Sequence, residues 1–262
     1  MGYALITGGG KGIGKAIALE LASKGFDILI ISRTEEDLQQ VCAEIKKNSR
    51  VTAQYFVIDL SREHAIEKVF SWVQSLHIEI EVLINNAGYG LSGYFEKQDL
   101  SALKNMMQLN MFTLVNFTHT FLPQLKRQKR SFILNIASTA AYQATPGLST
   151  YAATKSFVLS FSRGLNSELK NTSVSVTCIS PGPTNTGFFE RAHMSKKGQE
   201  MVKKVYMETQ VVAKIAVRAL LKGKPEIIPG LQNKLAAFLS WLFPKSIVEK
   251  IAGKLLGKAI GD

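Results

Sequence analysis

Short apolar runs alternate with longer segments of mixed polarity along most of the chain. Seven runs rich in β-branched residues predict strands at residues 3–7, 28–32, 54–59, 82–85, 132–137, 174–180 and 226–228. Between them, and most clearly in 15–24 and 35–47, apolar residues recur at helical spacing. Continuous apolar strands that alternate with amphipathic helices are typical of a parallel sheet buried on both faces. The pattern therefore predicts a doubly wound α/β fold with about seven parallel strands.

The last part of the chain has a different pattern. Residues 231–243 are almost wholly apolar, and Ser246 and Glu249 then have the spacing of a capping box that would begin a second helix. That helix would carry an apolar stripe and a basic stripe, formed by Ile247, Ile251 and Leu255 and by Lys250, Lys254 and Lys258. We therefore predict one domain, 1–230, with a basic amphipathic helical extension of the same domain at 231–262.

Length, composition and charge fit this organisation. The chain has 262 residues, 46% of them hydrophobic and 20% charged, so it can bury a sizeable core. Its net charge of +12 is uneven: residues 1–190 contain 18 Lys and Arg against 15 Asp and Glu, whereas 191–262 contain 14 against 5. The basic residues near the end follow a helical stripe without a nucleic-acid-binding motif, so we expect no nucleic-acid partner.

Cysteine and histidine usage indicates neither a disulfide framework nor a metal site. Cys42 and Cys178 lie far apart without a CxxC partner, and the four histidines lack ligand spacing. No stretch of about 18 apolar residues predicts a membrane span. The glycines that directly follow the first apolar run leave no room for a signal peptide. We therefore expect a cytoplasmic protein, at most peripheral to a membrane.

A glycine-rich loop follows the first predicted strand: residues 7–14 read TGGGKGIG. Gly8, Gly12 and Gly14 stand between a strand and a helix. This placement brings bare backbone N–H groups and the positive end of a helix to a point where a pyrophosphate could bind. A glycine loop alone is weak evidence, because a tight turn from strand to helix needs glycine anyway.

Four further motifs follow in order. They are NNAG at 85–88, Ser138, YAATK at 151–155 and PGPT at 181–184. Together with the spacing TGxxxGxG, they resemble the short-chain dehydrogenase/reductase family over residues 3 to about 190. The chain resembles bacterial members with a long, basic C-terminal extension, and more distantly the hydroxysteroid and ketoacyl reductases. The resemblance implies a Rossmann fold that binds a nicotinamide dinucleotide.

Charge at the end of the second predicted strand favours NADP(H). An acid there would bind the ribose 2′-hydroxyl and repel a 2′-phosphate, but the strand ends in Ser32 and Arg33. The family pattern places Lys11 near the same phosphate, although acids at 35 and 36 leave a local ion pair with Arg33 as an alternative. Two cationic contacts would favour NADP by roughly tenfold to thousandfold. The resemblance further assigns cofactor contacts to Ile13, Asp59, Leu60, Asn86, Ala87, Gly88, Pro181, Gly182, Thr184 and Thr186.

The candidate catalytic residues are Asn110, Ser138, Tyr151 and Lys155. To act as a base, Tyr151 needs its pKa lowered by about three units from about 10. An ammonium at about 4 Å supplies that shift, and Lys155 lies four residues on, on the same helix face. We therefore predict Tyr151 as general acid and base. The resemblance implies that Lys155 also binds the nicotinamide ribose, Ser138 polarises the substrate oxygen, and Asn110 holds a water behind the lysine. Ser138 could also simply cap a turn.

The segment after PGPT is a lid over the substrate in the family. Its Phe188, Phe189, His193 and Met194, with Leu91, Tyr94, Phe95, Tyr142 and Leu148, suggest a pocket for an apolar carbonyl or alcohol, although these side chains could equally be core. For the extension 231–262, three alternatives stay open: weak contact with an anionic membrane surface, packing on the lid, or burial in a homo-oligomer.

The resulting prediction is an NADP(H)-dependent oxidoreductase that interconverts an apolar ketone or aldehyde and the corresponding alcohol, assembled as a homodimer or homotetramer. The alternative is an NADP(H)-binding sensor or scaffold that turns nothing over. The complete set of candidate catalytic residues argues against the alternative.

Overall fold

The computed structural model describes residues 2–192, 194–203 and 205–257. One sheet of seven parallel strands, in the order β3-β2-β1-β4-β5-β6-β7, runs through the molecule. The strands are β1 (Tyr3–Thr7), β2 (Asp27–Ser32), β3 (Ala53–Val57), β4 (Ile80–Asn85), β5 (Ser131–Ile136), β6 (Val174–Ile179) and β7 (Glu226–Ile227). The predicted doubly wound parallel sheet is confirmed, and its strand order reverses between β1 and β4.

Helices connect the strands and cover the sheet. They are α1 (Gly12–Ser23), α2 (Glu35–Asn48), α3 (Ala65–Ser75), α4 (Leu100–Met107), α5 (Thr113–Arg127), α6 (Ser149–Glu168), α7 (Phe188–Arg191), α8 (Lys196–Lys203), α9 (Thr209–Leu221), α10 (Leu231–Leu242) and α11 (Lys245–Gly257). Short 3₁₀ helices form at Phe95–Lys97 and Thr139–Tyr142, and a π-helical turn at Gln108–Phe112 joins α4 to α5.

Successive side chains of the strands point to opposite sides of the sheet and belong to two hydrophobic cores, one on each side. On β1, Ala4 and Ile6 pack toward the side covered by α1, α2 and α9, whereas Leu5 packs toward the side covered by α3, α5 and α6. All three are fully buried. This two-sided burial is the physical reason why the central strands read as continuous apolar runs rather than as alternating ones.

The predicted capping box at the start of the second C-terminal helix is wrong. The helix α11 begins at Lys245, and the N–H groups of Ile247 and Val248 donate to the carbonyl of Pro244. Proline suits this position because its fixed φ and missing N–H are tolerated where a helix starts. Ser246 therefore lies inside the first turn.

Part of the predicted C-terminal stripes lies outside the described structure. This applies to Lys258 and to the side chains of Lys254 and Leu255. Within the described residues, no helix is long and apolar enough to cross a membrane.

Candidate active site

The carboxyl ends of the central strands open into a cleft of about 1290 Å³. The cleft lies where the strand order reverses, which is the position at which open α/β sheets bind their ligands. The structure brings nearly all of the predicted site residues to it. Of the predicted cofactor-binding and catalytic residues, Gly14 and Asn110 are the two that do not line the cleft, and they lie directly behind its wall.

The glycine loop forms one end of the cleft. Gly8 and Gly12 have φ of +67° and +57°, a conformation that favours glycine. A Cβ on Gly14 would lie 2.2 Å from the carbonyl oxygen of Gly8, so that close approach also requires glycine. The Asn86 amide donates to the carbonyls of Thr7 (2.9 Å) and Gly8 (3.0 Å), which ties the loop after β4 to this turn.

The beginning of α1 fits a negatively charged group. Lys11 occupies the N-cap position of α1. No side chain caps this helix, and its first turn contains no acidic residue. The first N–H groups of a helix have no partner within the helix and carry the positive end of its dipole. Here those groups, at Gly12 and Ile13, line the cleft. This end of the site can therefore hold a pyrophosphate.

One of the two cations predicted to meet the 2′-phosphate is paired with an acid in the structure. Lys11 Nζ lies 3.0 Å from Asp37 Oδ2, so this lysine already has an anionic partner. Arg33 forms no ion pair within 4 Å in the described part of the chain, and Glu35 instead accepts a hydrogen bond from Tyr55 (3.0 Å). The alternative of a local pair between Arg33 and Glu35 is thus not formed. Asp37 was missed, although the sequence signalled it as an acid in the first turn of α2.

Asp59 lies two residues beyond the end of β3, because the strand ends at Val57 rather than at 59 as predicted. Its Oδ1 accepts hydrogen bonds from the N–H (3.0 Å) and the hydroxyl (2.7 Å) of Ser61. Burial raises the pKa of Asp59, but the Ser61 hydrogen bonds and the nearby Arg33 more than offset this and lower it overall. An anionic carboxylate therefore faces the cleft beside the buried Leu60.

Tyr151, Ser138 and Lys155 meet at the centre of the cleft. Tyr151 and Lys155 lie on α6 and are buried, and the Ser138 side chain lies close enough to the Tyr151 hydroxyl to act on its pKa. Ser138 also accepts a hydrogen bond from the N–H of Ala140 (3.2 Å) at the start of a 3₁₀ helix, so it caps a turn and faces the tyrosine at once. Lys155 Nζ lies 5.8 Å from the Tyr151 ring centroid and donates to the carbonyl of Ile136 (2.9 Å).

The expected lowering of the Tyr151 pKa is not found. Burial raises the pKa of Tyr151 to about 12, although the Ser138 side chain acts in the opposite direction. Burial also lowers the pKa of Lys155 to about 8. The physical reason is that Tyr151 is buried, and that Lys155, whose ammonium donates to the Ile136 carbonyl, is not among the groups that lower the pKa of Tyr151. At neutral pH the tyrosine is therefore an acid that can donate a proton.

Asn110 lies in the π-helical turn, and its amide connects two parts of the site. It donates to the Tyr89 carbonyl (2.9 Å) and to the Thr154 hydroxyl (3.0 Å), and its oxygen accepts from the Tyr89 N–H (3.1 Å). A Cβ on Gly88 would lie 2.8 Å from Asn110 Oδ1 and 3.6 Å from Lys155 Nζ. Asn110 thus anchors the loop after β4 to α6 beside Lys155. Its predicted water stays a prediction.

The PGPT turn closes the cleft on the side of β6. Thr184 pairs with Met207 in a parallel bridge, and its hydroxyl donates to the Gly182 carbonyl (2.9 Å). The Thr186 methyl would lie 3.2 Å from a Cβ on Gly12, so this segment reaches the glycine loop. The bridge holds together the two ends of the segment between Thr184 and Met207.

Aromatic side chains line the other half of the cleft. The Phe188 ring lies 5.3 Å from the Tyr151 ring and also 5.3 Å from Phe189, and both phenylalanines line the cleft with Tyr142, Leu148 and Met194. Three predicted pocket residues do not line the cleft, contrary to expectation: Tyr94 and Phe95 are exposed, and Leu91 packs against the cluster that contains Leu148 and Tyr151. His193 lies outside the described residues.

The helix α10 adds a wall to the cleft that the sequence did not indicate. The side chains of Asn233, Ala236, Ala237 and Ser240 line the cleft. A Cβ on Gly182 would lie 2.4 Å from Asn233 Oδ1, which shows how closely the helix approaches the PGPT turn. The signal in the sequence was the stripe of small and polar residues in an otherwise apolar segment.

Comparison with known proteins gives consistent matches. The family model for short chain dehydrogenases matches residues 2–197. A very-long-chain 3-oxoacyl-CoA reductase from Anas platyrhynchos is 34% identical over 92% of this chain and 74% of that protein. The mouse 17-beta-hydroxysteroid dehydrogenase type 3 is 32% identical over 77% of this chain and 67% of that protein. A short-chain dehydrogenase from Sphingobium yanoikuyae, solved in complex with NADPH, is 28% identical with a TM-score of 0.81, covering 92% of this chain and 95% of that one.

Proposed function

The chain belongs to the short-chain dehydrogenase family, and on that premise we propose that it is an NADP(H)-dependent oxidoreductase. It interconverts an apolar ketone or aldehyde and the corresponding alcohol by hydride transfer. The observation that carries this proposal is the meeting of Tyr151, Ser138 and Lys155 in the same cleft as the glycine loop. A proton donor, an oxygen-binding hydroxyl and a buried cation are the groups that carbonyl reduction needs.

The choice of NADP(H) is supported by the residues around the glycine loop. The uncapped start of α1 suits the pyrophosphate, and Arg33, free of an ion pair in the described part of the chain, suits the 2′-phosphate. The NADPH complex of the structural relative from Sphingobium yanoikuyae is consistent with this choice. When bound, NADPH supplies the hydride.

The protein's own residues then supply the proton and the charge stabilisation. The protonated Tyr151 hydroxyl donates to the carbonyl oxygen as negative charge develops there, and the Ser138 hydroxyl donates a second hydrogen bond to it. The buried Lys155, whose ammonium donates to the Ile136 carbonyl, supplies positive charge on the same side of the cleft. Asn110 holds the loop after β4 in place and orders a water that returns a proton through Lys155.

An apolar substrate is supported by the aromatic half of the cleft and by the relatives. Phe188, Phe189, Leu148 and Met194 offer hydrocarbon surface next to the Tyr151 hydroxyl. The curated relatives are a reductase of very-long-chain 3-oxoacyl-CoA and a hydroxysteroid dehydrogenase, and both names describe substrates in which a carbonyl or hydroxyl group lies on a large apolar part, an acyl chain or a steroid. We therefore propose a medium to large apolar carbonyl compound as the substrate.

The test is the loss of NADPH absorbance with a panel of aliphatic ketones, aldehydes, 3-ketoacyl thioesters and ketosteroids. We expect turnover on at least one class and its near-complete loss in Tyr151→Phe. The matched control is Tyr94→Phe, which removes an exposed hydroxyl outside the cleft and should leave turnover unchanged. Equal losses in both variants would contradict the role of Tyr151.

The second candidate function is a sensor or scaffold that binds NADP(H) without turnover. Tight NADPH binding by the parent protein together with no turnover on any substrate class would favour it. The complete set of Asn110, Ser138, Tyr151 and Lys155 in the described site supports the enzyme instead.

We further propose that residues 1–230 are the catalytic unit and that 231–262 form an extension of the same domain. A homodimer or homotetramer is supported by the exposed Phe112 and Phe157, whose burial would favour association. A cytoplasmic location is supported by the free, buried Cys42 and Cys178. Sedimentation velocity checks the assembly, and a Phe157→Glu variant should weaken it.

A further inference from the structure

The two long sides of α10 have opposite roles. Successive residues of a helix are rotated by about 100°, so the positions 233, 237 and 240 share one side and 231, 235, 238 and 242 share the other. The first side packs on the protein: Asn233 contacts the PGPT turn, Ala237 is buried, and Ser240 donates to the Tyr142 carbonyl (3.3 Å). The second side is left uncovered.

The uncovered side is strongly apolar. Exposed fractions reach 83% for Leu231 and 74% for Trp241, which are high values for side chains of this kind. The exposed apolar surface continues through the turn after α10 and onto α11. We call it the C-terminal apolar face, and it consists of Leu231, Leu235, Phe238, Leu239, Trp241, Leu242, Phe243, Ile247 and Ile251.

Basic residues outnumber acidic ones in the segment that carries this face. Residues 231–262 contain five lysines against two acids, and Lys234 and Lys250 are exposed on the two helices. An amphipathic helix with an apolar face, Lys on its flanks and an exposed Trp has the composition of helices that lie in the plane of a membrane surface. As far as the structure describes them, neither helix is long and apolar enough to cross a bilayer.

We propose that α10 and α11 dock the protein on an anionic lipid surface through the C-terminal apolar face. The charge decides between lipid and a second copy of this chain. A twofold contact between two copies would bring the basic segments of both chains into one interface, where their like charges repel. Anionic headgroups instead attract each lysine while the apolar side chains enter the upper acyl region.

Docking in this way places the cleft beside the lipid. The helix α10 is the shared wall, because its packed side lines the cleft and its opposite side carries the apolar face. An apolar molecule dissolved in the membrane would then have a short path to the site. This consequence rests on the proposed function, whereas the docking itself does not.

The test measures binding of the full chain to vesicles without any enzymatic readout. Vesicles of equimolar phosphatidylcholine and phosphatidylglycerol should retain the protein in co-sedimentation, and pure phosphatidylcholine should retain far less. In a Trp72→Phe background, Trp241 is the single tryptophan, so its emission should shift to shorter wavelength on anionic vesicles. Trp72 packs inside the fold against Phe56 and is not a reporter of this face.

Matched variants separate the face from general surface properties. Leu235→Ser with Phe238→Ser should abolish retention, whereas Leu100→Ser with Phe95→Ser, equally exposed side chains elsewhere, should leave it unchanged. Lys234→Gln with Lys250→Gln should weaken binding by roughly 30-fold, about fivefold for each lysine near the surface. The exposed pair Lys47→Gln with Lys129→Gln should have no effect.

Three results would overturn the proposal. The first is no retention of the parent protein on anionic vesicles, and the second is an equal loss in the control variants. The third is that Leu235→Ser with Phe238→Ser converts an oligomer to a monomer in sedimentation velocity while vesicle binding persists, which would assign the face to a second copy. NADPH binding, measured in parallel, reports on the proposed function separately.

Discussion

The preference for NADPH over NADH should depend on three charged residues in a defined order. Arg33 lines the cleft and has no ion-pair partner within 4 Å in the described part of the chain, so its guanidinium is free to meet a 2′-phosphate. Lys11 lies across the same end of the cleft but is paired with Asp37 at 3.0 Å. We therefore expect Arg33→Ala to reduce the preference more than Lys11→Ala, and Asp37→Asn to increase it.

The magnitudes follow from these contacts. A hydrogen bond to a charged group contributes about 1.5–3 kcal/mol, so removing Arg33 should reduce the affinity ratio by roughly 10- to 150-fold. Lys11 must first leave Asp37, and an ion pair with one largely exposed partner contributes about 0.2–1 kcal/mol. Removing that competition by Asp37→Asn should raise the ratio by roughly 1.5- to 5-fold.

The assay is a pair of fluorescence titrations, with NADPH and with NADH, on each variant. The ratio of the NADPH and NADH affinities cancels any effect of a substitution on the fold or on contacts that both nucleotides share. Glu35→Gln is the matched control for Asp37→Asn, because Glu35 lies in the same first turn of α2 but bonds to Tyr55 instead of Lys11. It should leave the ratio unchanged.

The reasoning is refuted by any of three results. Tighter binding of NADH than of NADPH by the parent protein would contradict the predicted preference for NADPH. An unchanged ratio in Arg33→Ala would mean that this guanidinium does not meet the phosphate. A lower ratio in Asp37→Asn would mean that Asp37 holds Lys11 in position for the phosphate rather than competing with it.

Other predictions concern protonation and packing. Burial lowers the pKa of Lys155 to about 8 and raises that of Tyr151 to about 12. The rate of carbonyl reduction should therefore be level below pH about 8 and fall above it, because Lys155 then loses its charge. The pH profile of the Lys155→Arg variant should lack this inflection. Gly164→Ala should raise stability by about 0.5–1 kcal/mol, because nothing lies within 4 Å of the added Cβ in this exposed helical turn; thermal unfolding checks it, and a lower midpoint would contradict it. Gly14→Ala should abolish NADPH binding in equilibrium dialysis, since its Cβ would meet the Gly8 carbonyl oxygen at 2.2 Å.

The sequence alone determined the sheet and the members of the site. Apolar runs and helical spacing are local patterns, and the strands they predicted agree with the structure to within a few residues. The order of the motifs then placed the glycine loop after β1, Ser138 after β5 and Tyr151 on the helix that follows β5. Parallel strands bring their carboxyl ends to one edge of the sheet, so local patterns were sufficient to assemble the cleft.

Tertiary structure decided the charges and the contacts between distant segments. The pKa of Tyr151 depends on burial, and the position of the Lys155 ammonium depends on a carbonyl of β5, neither of which residue spacing reveals. The pair of Lys11 with Asp37 joins two elements through a distance that only packing sets. Likewise, an apolar helix such as α10 has several sides that could pack, and the protein surface beneath it selected one. Ion pairs and desolvation depend on separations in space, whereas periodicity in sequence specifies separations along the chain.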